Sequence, residues 1–136
     1  MQTSVYLFFN GNCEEALNFY AKTFGAKIEA MMTYESGPPM DNMPADWGKK
    51  IMHGHLIVGD THVMASDAPP GRYNKPQGFD VSLSTQTPEE AERAFAALSQ
   101  KGNVTMPMAE TFFAPRFGSV TDRFGIPWMV ICDHQT

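Results

Sequence analysis

The sequence predicts a small α+β protein made of two βαβββ modules, whose curved mixed sheets enclose a cavity. Two observations predict this fold class. A short strand pattern leads directly into a capped helix twice, first after Val5 and again after Asp80. Each helix is then followed by three further strand-like segments, so the order of elements repeats. We therefore expect one domain over residues 1–136, with an N-terminal module at 1–67 and a C-terminal module at 78–134.

The first module opens with the strand Val5–Phe9, and its helix is expected to start after Asn12. Asn12 and Glu15 have the spacing of a capping box, in which side chains bind the free amides at a helix start. Gly25 is expected to end this helix in the left-handed conformation. The local pattern thus predicts a helix with both ends defined.

Three strands complete the first module: Lys27–Tyr34, Ile51–Val58 and His62–Asp67, the last two paired around a turn at Gly59-Asp60. The segment Ser36–Lys50 contains three prolines and two glycines, which excludes regular structure. Long loops in compact domains are often lids. We expect this loop to cover the cavity with Trp47 as its apolar plug; the alternative is an exposed, mobile loop.

The second module repeats the plan. Its helix is expected to start after Thr87, with Pro88 in the first position and Glu90 completing a capping box. Gly102 is expected to end it. The strands of this module are predicted at Asp80–Ser84, Asn103–Thr105, Arg116–Thr121 and Trp128–Asp133.

Alternation along each strand assigns side chains to the helix side or to the cavity side. In the first strand we expect Tyr6 and Phe8 against the helix, and Val5, Leu7 and Phe9 toward the cavity. In the fifth strand we expect Val81 and Leu83 against the helix, and Asp80, Ser82 and Ser84 toward the cavity. His53 and His55 share one face of the third strand, whereas His62 and His134 are expected to be exposed.

Charge and composition exclude several classes of function. The net charge is −5 and no segment concentrates Lys and Arg, which argues against a nucleic-acid or anionic-membrane surface. Cys13 and Cys132 match neither a disulfide framework nor a zinc-ligand spacing. The chain shows no signal-peptide pattern and no apolar run of membrane-spanning length, so we expect a cytoplasmic protein.

Several segments carry a family resemblance: Asn10–Leu17, Thr111–Phe113, Arg116–Gly118 and Thr121–Trp128. They resemble the PhnB-like branch of the vicinal oxygen chelate superfamily, which includes glyoxalase I, bleomycin-resistance proteins and extradiol dioxygenases. One departure is Phe113-Ala114, where this branch commonly has a Trp-Gly pair after the Phe. The resemblance implies a glyoxalase/bleomycin-resistance/dioxygenase-like fold and a homodimer, with modules paired within a chain or swapped between subunits.

The resemblance also implies where a metal would be bound. The four ligand positions of metal-binding relatives fall at Val5, His55, Asp80 and Met129. Only the second and third suit a hard or borderline cation, and a catalytic zinc typically needs three protein ligands. We therefore expect no tightly bound metal and no cofactor, with a weakly held divalent metal as the alternative.

The candidate site combines two polar residues with an aromatic lining. His55 and Asp80 are the candidate catalytic residues, because an imidazole and a carboxylate can act as general acid and base; they can equally orient a ligand through hydrogen bonds. The candidate ligand-binding residues are Tyr34, Trp47, Phe113, Arg116 and Trp128, which offer flat apolar surfaces and one cation. The alternative for each aromatic residue is the core or the dimer interface.

Three functions follow from this site. The first is a metal-independent small-molecule binding protein, acting for example by sequestration. The second is a lyase, isomerase or dioxygenase-type enzyme that uses His55 and Asp80. The third is the 3-demethylubiquinone-9 3-methyltransferase label that the resemblance carries. The strand-to-helix turns Asn10–Asn12 and Thr85–Thr87 lack the Gly-rich loop that such a cofactor usually requires, so the label is not expected to describe the activity.

Overall fold

A computed structural model describes residues 1–41 and 43–133 of the chain. It divides the protein into two compact units, which we call unit 1 (Met1–Asn74) and unit 2 (from Lys75 onward). His134, the last residue of the predicted C-terminal module, lies outside the described residues. Within the described part of the chain, neither helix is long and apolar enough to cross a membrane.

Unit 1 contains one helix and a four-stranded sheet. Its elements are β1 (Val5–Phe9), α1 (Cys13–Phe24), β2 (Lys27–Thr33), β3 (Ile51–Val58) and β4 (Thr61–Asp67). The strand order is β1-β4-β3-β2, in which β1 pairs with β4 in parallel and the other pairs are antiparallel. Two single 3₁₀ turns, Tyr34–Ser36 and Trp47–Lys49, lie in the loop after β2, which otherwise has no regular structure at its described residues.

Unit 2 repeats this arrangement. Its elements are β5 (Val81–Thr85), α2 (Pro88–Ser99), β6 (Asn103–Ala109), β7 (Arg116–Thr121) and β8 (Pro127–Cys132). The strand order is β5-β8-β7-β6, again with one parallel pair, β5 with β8. The predicted α+β class with two βαβββ units and mixed sheets is confirmed. Strand β6 is longer than predicted and contains Pro107, which is tolerated because β6 is an edge strand with shifted register.

The two helices start differently, and one capping prediction is wrong. Thr87 caps α2 as predicted, since its hydroxyl accepts the amide of Glu90 at 3.1 Å. Asn12 precedes α1, but its side chain makes no capping hydrogen bond. The amide of Cys13 is bound instead by the carboxylate of Asp67, at 2.9 Å, from the far end of β4. A long-range acceptor has replaced the local cap.

The helix ends also differ. Gly25 ends α1 with φ of 64°, as predicted for a left-handed C-terminal residue. Helix α2 ends at Ser99, and the left-handed residue after it is Lys101 with φ of 57°. The predicted role of Gly102 is therefore wrong. A Cβ atom at Gly102 would lie 2.6 Å from the carbonyl oxygen of Thr121, so this position needs glycine because two backbones approach closely.

The side-chain faces of β1 are opposite to those predicted. Leu7 and Phe9 are 2% and 0% exposed, and the ring of Phe9 contacts Tyr20 of α1 at a centroid distance of 6.4 Å. Tyr6 and Phe8 lie on the other face and are 38% and 50% exposed. The apolar surface of α1 therefore packs on the second set. All five residues of β1 are apolar, so alternation separates the two sets without deciding which one meets the helix.

The predicted faces of β5 agree with the structure. Val81 pairs with Trp128, and Leu83 pairs with Val130, both of which are buried on β8. Val130 in turn pairs with Gly118, whose missing side chain leaves room for Phe95 of α2. These pairs identify the helix-facing side of the sheet. Alternation then places Ser82 and Ser84 on the other side.

Candidate functional site

The face of each sheet that points away from its own helix, which we call the open face, carries the candidate site residues of unit 1. The pairing register puts Tyr6, Met64 and His55 in one row across β1, β4 and β3. Val5 lies in the neighbouring row with Val63, on the buried side. The prediction that Val5 faces a cavity is therefore wrong, and Tyr6 takes that place on the open face.

The histidines of the open face form two separate pairs. Nε2 of His55 lies 2.6 Å from Nδ1 of His62, and the two rings are tilted at a centroid distance of 4.8 Å. Nδ1 of His53 lies 3.2 Å from the hydroxyl of Tyr6. His55 thus has a second imidazole as its partner, which the sequence reasoning missed. The Gly59-Asp60 turn was the available signal, because its register makes His55 and His62 diagonal neighbours.

A carboxylate lies near the His55–His62 pair. Glu29 sits at an irregularity of β2, where the register shifts between Ile28 and Ala30. The side-chain hydrogen bond and charge of Lys27, whose Nζ is 3.0 Å from Glu29 Oε1, lower the pKa of Glu29, and the two imidazoles add to this effect. A bulge commonly redirects a side chain toward a functional surface. Here it brings an acidic group into the field of both histidines.

Tyr34 and Trp47 lie together where the long loop meets the end of β4. The hydroxyl of Tyr34 donates to the carbonyl of Asp67 at 2.7 Å, and burial raises the pKa of this phenol. The ring of Trp47 is 6.4 Å from that of Tyr34 and lies beneath the ammonium of Lys50 at 5.9 Å. Lys50 also donates to the carbonyl of Gly11 at 2.8 Å. Both aromatic residues fasten the loop, and their predicted contact with a ligand stays a prediction.

Unit 2 has a surface groove of about 550 Å³. It brings together Asp80 and Met129, two residues singled out from the sequence, with a cationic side chain that was missed. Described residues that line it are Lys75, Pro76, Gln77, Gly78, Phe79, Asp80, Thr121, Pro127 and Met129. Its size is that of a pocket for a small organic molecule. The missed residue lies in a Pro- and Gly-containing segment that sequence reasoning had treated only as a connection.

The other three predicted ligand-binding residues of unit 2 are not among the described residues that line this groove. Trp128 is 3% exposed, and its indole N–H donates to Asp122 at 2.8 Å, so it belongs to the core. Nε of Arg116 lies 2.9 Å from Glu92 Oε1, an ion pair without the alignment of a hydrogen bond. Phe113 is 45% exposed and packs edge-on against neighbouring phenylalanines.

The donor atoms do not fit a tightly held divalent metal. Among residues 1–41 and 43–133, no three His, Cys, Asp or Glu side chains are grouped closely enough to hold an ion. The row on the open face of unit 2 consists of Ser82, Met129 and Ser119. Hydroxyls and a thioether are poor ligands for zinc, nickel or iron. The chemistry of these side chains favours organic ligands.

Comparison with known proteins places the chain in a family. Residues 1–131 match the family model described as 3-demethylubiquinone-9 3-methyltransferase. The chain is similar to Protein YjdN of Escherichia coli strain K12, with 35% identity over 96% of this chain and 94% of that protein. It is also similar to the crystal structure of protein PA1353 from Pseudomonas aeruginosa, with 45% identity, a TM-score of 0.90 and 99% of each chain covered.

More distant structures show the same fold. A putative 3-demethylubiquinone-9 3-methyltransferase, PhnB protein, from Bacillus cereus is 23% identical, with a TM-score of 0.81 over 97% of this chain and 99% of that one. A glyoxylase/bleomycin resistance protein/dioxygenase domain from Frankia sp. EAN1pec is 12% identical, with a TM-score of 0.68 over 98% of each chain. The chain therefore belongs to the family described as 3-demethylubiquinone-9 3-methyltransferase, the PhnB-like branch of the glyoxalase/bleomycin-resistance/dioxygenase superfamily.

Proposed function

We propose that this protein binds a small organic molecule in the groove of unit 2 and does so without a tightly bound metal. The observation that carries the proposal is the groove itself, which has ligand-sized volume and is lined by Asp80 and Met129. A groove of this kind is sufficient for binding or sequestration. It supplies an apolar wall and polar groups that can orient a ligand.

The charges of the groove indicate what kind of molecule it accepts. Lys75 and Asp80 are exposed, and neither enters an ion pair with another described residue. Phe79, Pro127 and Met129 supply apolar surface between the polar groups. A ligand with a flat or flexible apolar body and at least one charged group matches this combination.

Two alternatives are less well supported by the residues. A methyltransferase reaction needs a bound methyl donor, and the turns that lead into α1 and α2 contain no Gly-rich loop for one. An acid–base enzyme would use His55 and Asp80, but the partner found for His55 is His62, at 2.6 Å. Asp80 lines the groove of unit 2. Binding requires only the groove, so it is the simpler proposal.

The groove can be tested by filling it. Met129 and Ile131 are both half-buried on the same face of β8, but only Met129 is among the described residues lining the groove. The protein purified without added ligand is analysed by native mass spectrometry and then screened against a small-molecule library by thermal shift. We expect Met129→Arg to abolish binding of every hit and Ile131→Arg to retain it. Equal binding by both variants would disprove the groove as the site.

The contribution of charge is tested separately. Asp80→Asn removes the groove carboxylate, and Asp133→Asn removes an exposed carboxylate that is not among the described groove residues. We expect only the first change to weaken a cationic hit, by about tenfold, which corresponds to ~1.4 kcal/mol. A requirement for added zinc, nickel or manganese would contradict the metal-independent part of the proposal.

We also propose that the protein is a homodimer, as the family resemblance implies. Phe112 is 98% exposed and packs only edge-on against Phe113 among the ring contacts of the described residues. An exposed pair of phenylalanine rings is typical of an interface. Light scattering after size exclusion should give twice the mass of one chain, and Phe112→Glu should shift the equilibrium toward the monomer. A monomeric wild-type protein would refute the proposal.

A further inference from the structure

The His55–His62 pair has the geometry of two donors aimed at one point. The two facing nitrogen atoms are 2.6 Å apart, which is closer than the usual 2.7–3.2 Å range of hydrogen bonds donated by nitrogen. The Gly59-Asp60 turn fixes the register of β3 and β4, so the two rings are held on the same face of the sheet. His62 is exposed and His55 is half-buried, which leaves the pair accessible from solvent.

A cation can take the place of the shared proton. A neutral imidazole carries its proton on one nitrogen and a lone pair on the other. If both rings carry their protons on the outer nitrogens, both lone pairs point into the space between Nε2 of His55 and Nδ1 of His62. Zinc–nitrogen bonds of about 2.0–2.1 Å at a tetrahedral angle need donors roughly 3.3 Å apart. The rings would have to separate by only about 0.7 Å, which side-chain rotation at an exposed site supplies.

Glu29 is positioned to be the third ligand. It lies at the register shift of β2, beside the strand that carries His55, and its carboxylate is already within the electrostatic reach of both imidazoles. Its present partner, Lys27, is a side chain that is 77% exposed. A solvent-exposed ion pair contributes little free energy, so it can be exchanged for a metal bond. Water would complete the coordination shell.

We propose that His55 and His62 form a binding site for a borderline divalent transition-metal ion, with Glu29 as an additional ligand. Two imidazoles and one carboxylate suit Cu²⁺, Ni²⁺ and Zn²⁺ and not Mg²⁺, which prefers oxygen ligands. Because the third ligand must first leave Lys27, binding is weak compared with a structural zinc site. The proposal is independent of the groove and of its organic ligand.

His53 provides a matched control for the test. It is on the same strand and the same face as His55, but its partner is the hydroxyl of Tyr6. The full chain without a histidine tag is titrated with Zn²⁺ and Cu²⁺ by calorimetry. We expect one ion per chain for the wild type and for His53→Ala, with Cu²⁺ bound more tightly than Zn²⁺. His62→Ala should bind each ion at least tenfold more weakly, and Glu29→Gln by a smaller factor.

Two results would overturn the proposal. One is wild-type affinity in His62→Ala, and the other is an equal loss of affinity in His53→Ala. Because His62 is exposed, its replacement should leave the far-ultraviolet circular dichroism unchanged. His62→Asn serves as a second variant if His62→Ala is unstable. The buried thiols of Cys13 and Cys132 are not accessible to compete for the ion.

Discussion

Asp67→Asn tests how unit 1 is held together. Asp67 is 1% exposed at the end of β4, and each carboxylate oxygen accepts one backbone amide. Oδ1 binds the amide of Cys13 at 2.9 Å, and Oδ2 binds the amide of Ile51 at 2.8 Å. These two contacts tie the first residue of α1 and the first residue of β3 to the same side chain.

The magnitude follows from what asparagine can do in that position. Its single carbonyl oxygen can keep one of the two bonds, whereas its NH₂ group would face the other amide donor. A hydrogen bond to a charged group contributes about 1.5–3 kcal/mol, and an unsatisfied buried donor costs about 1–3 kcal/mol. Allowing for overlap between these two terms, we expect a loss of about 3 kcal/mol in the free energy of unfolding. At ~4 °C per kcal/mol, the melting temperature should fall by about 12 °C.

The assay is urea unfolding followed by circular dichroism, with Asp60→Asn as the control. Asp60 is exposed in the turn between β3 and β4, so its replacement makes the same change in net charge without touching a buried hydrogen bond. We expect the control to stay within about 0.5 kcal/mol of the wild type, as surface substitutions usually do. If Asp67→Asn also stayed within that range, the fastening role of its carboxylate would be refuted.

Three further substitutions test local features of the fold by the same unfolding assay. Thr87→Ala should destabilise the protein by about 1 kcal/mol because it removes a helix cap, whereas Asn12→Ala should have little effect. Gly102→Ala should be more destabilising than Gly37→Ala, because the added Cβ meets backbone in the first case and the flexible end of a methionine in the second; equal effects would contradict this reasoning. Burial raises the pKa of the Cys13 thiol far above 9.0, so stability present below pH 9 is lost as the unfolded thiol ionises. Between pH 8 and 10.5 the wild type should lose about 2 kcal/mol more than Cys13→Ala, from ~1.36 kcal/mol per unit of pKa difference.

The order of the elements was predictable because it is written in local patterns. Strand β7 was predicted with its observed bounds, Arg116–Thr121, and the cap of α2 at Thr87 is as expected. These features depend on residues close together in the chain. The capping box, the hairpin turn and the alternation of side chains each act over a few residues.

The wrong predictions concern contacts between distant parts of the chain. Asn12 has the right residue type and spacing for a cap, but the carboxylate of Asp67, 54 positions beyond Cys13, binds the helix amide instead. No local rule identifies such an acceptor. The faces of β1 could not be assigned for a related reason, since an apolar strand offers two equivalent faces until the helix chooses one.

The candidate site shows the same division. The sequence reasoning selected His55 but not His62, because it considered residues along one strand and not across a hairpin. Asp80 and Met129 were selected for their positions in a family pattern, and the structure gives them a shared groove with Lys75. Trp128 was selected for its aromatic ring, whereas its 3% exposure assigns it to the core. Residue type alone does not distinguish a ligand contact from a packing contact.

The two units repeat the order of elements without repeating the way in which polar groups hold them. Asp67 joins α1 to the start of β3, whereas Asp122 accepts the amides of Phe124 and Ile126 in the turn before β8. In unit 1, strand β3 is therefore fixed at its start by a buried carboxylate and at its end by the hairpin turn. His55 lies between these two fixed points. Its position opposite His62 is set by the backbone, so the remaining imidazole should keep its place when the other is removed. A metal ion would then bind to a site that the fold has already arranged.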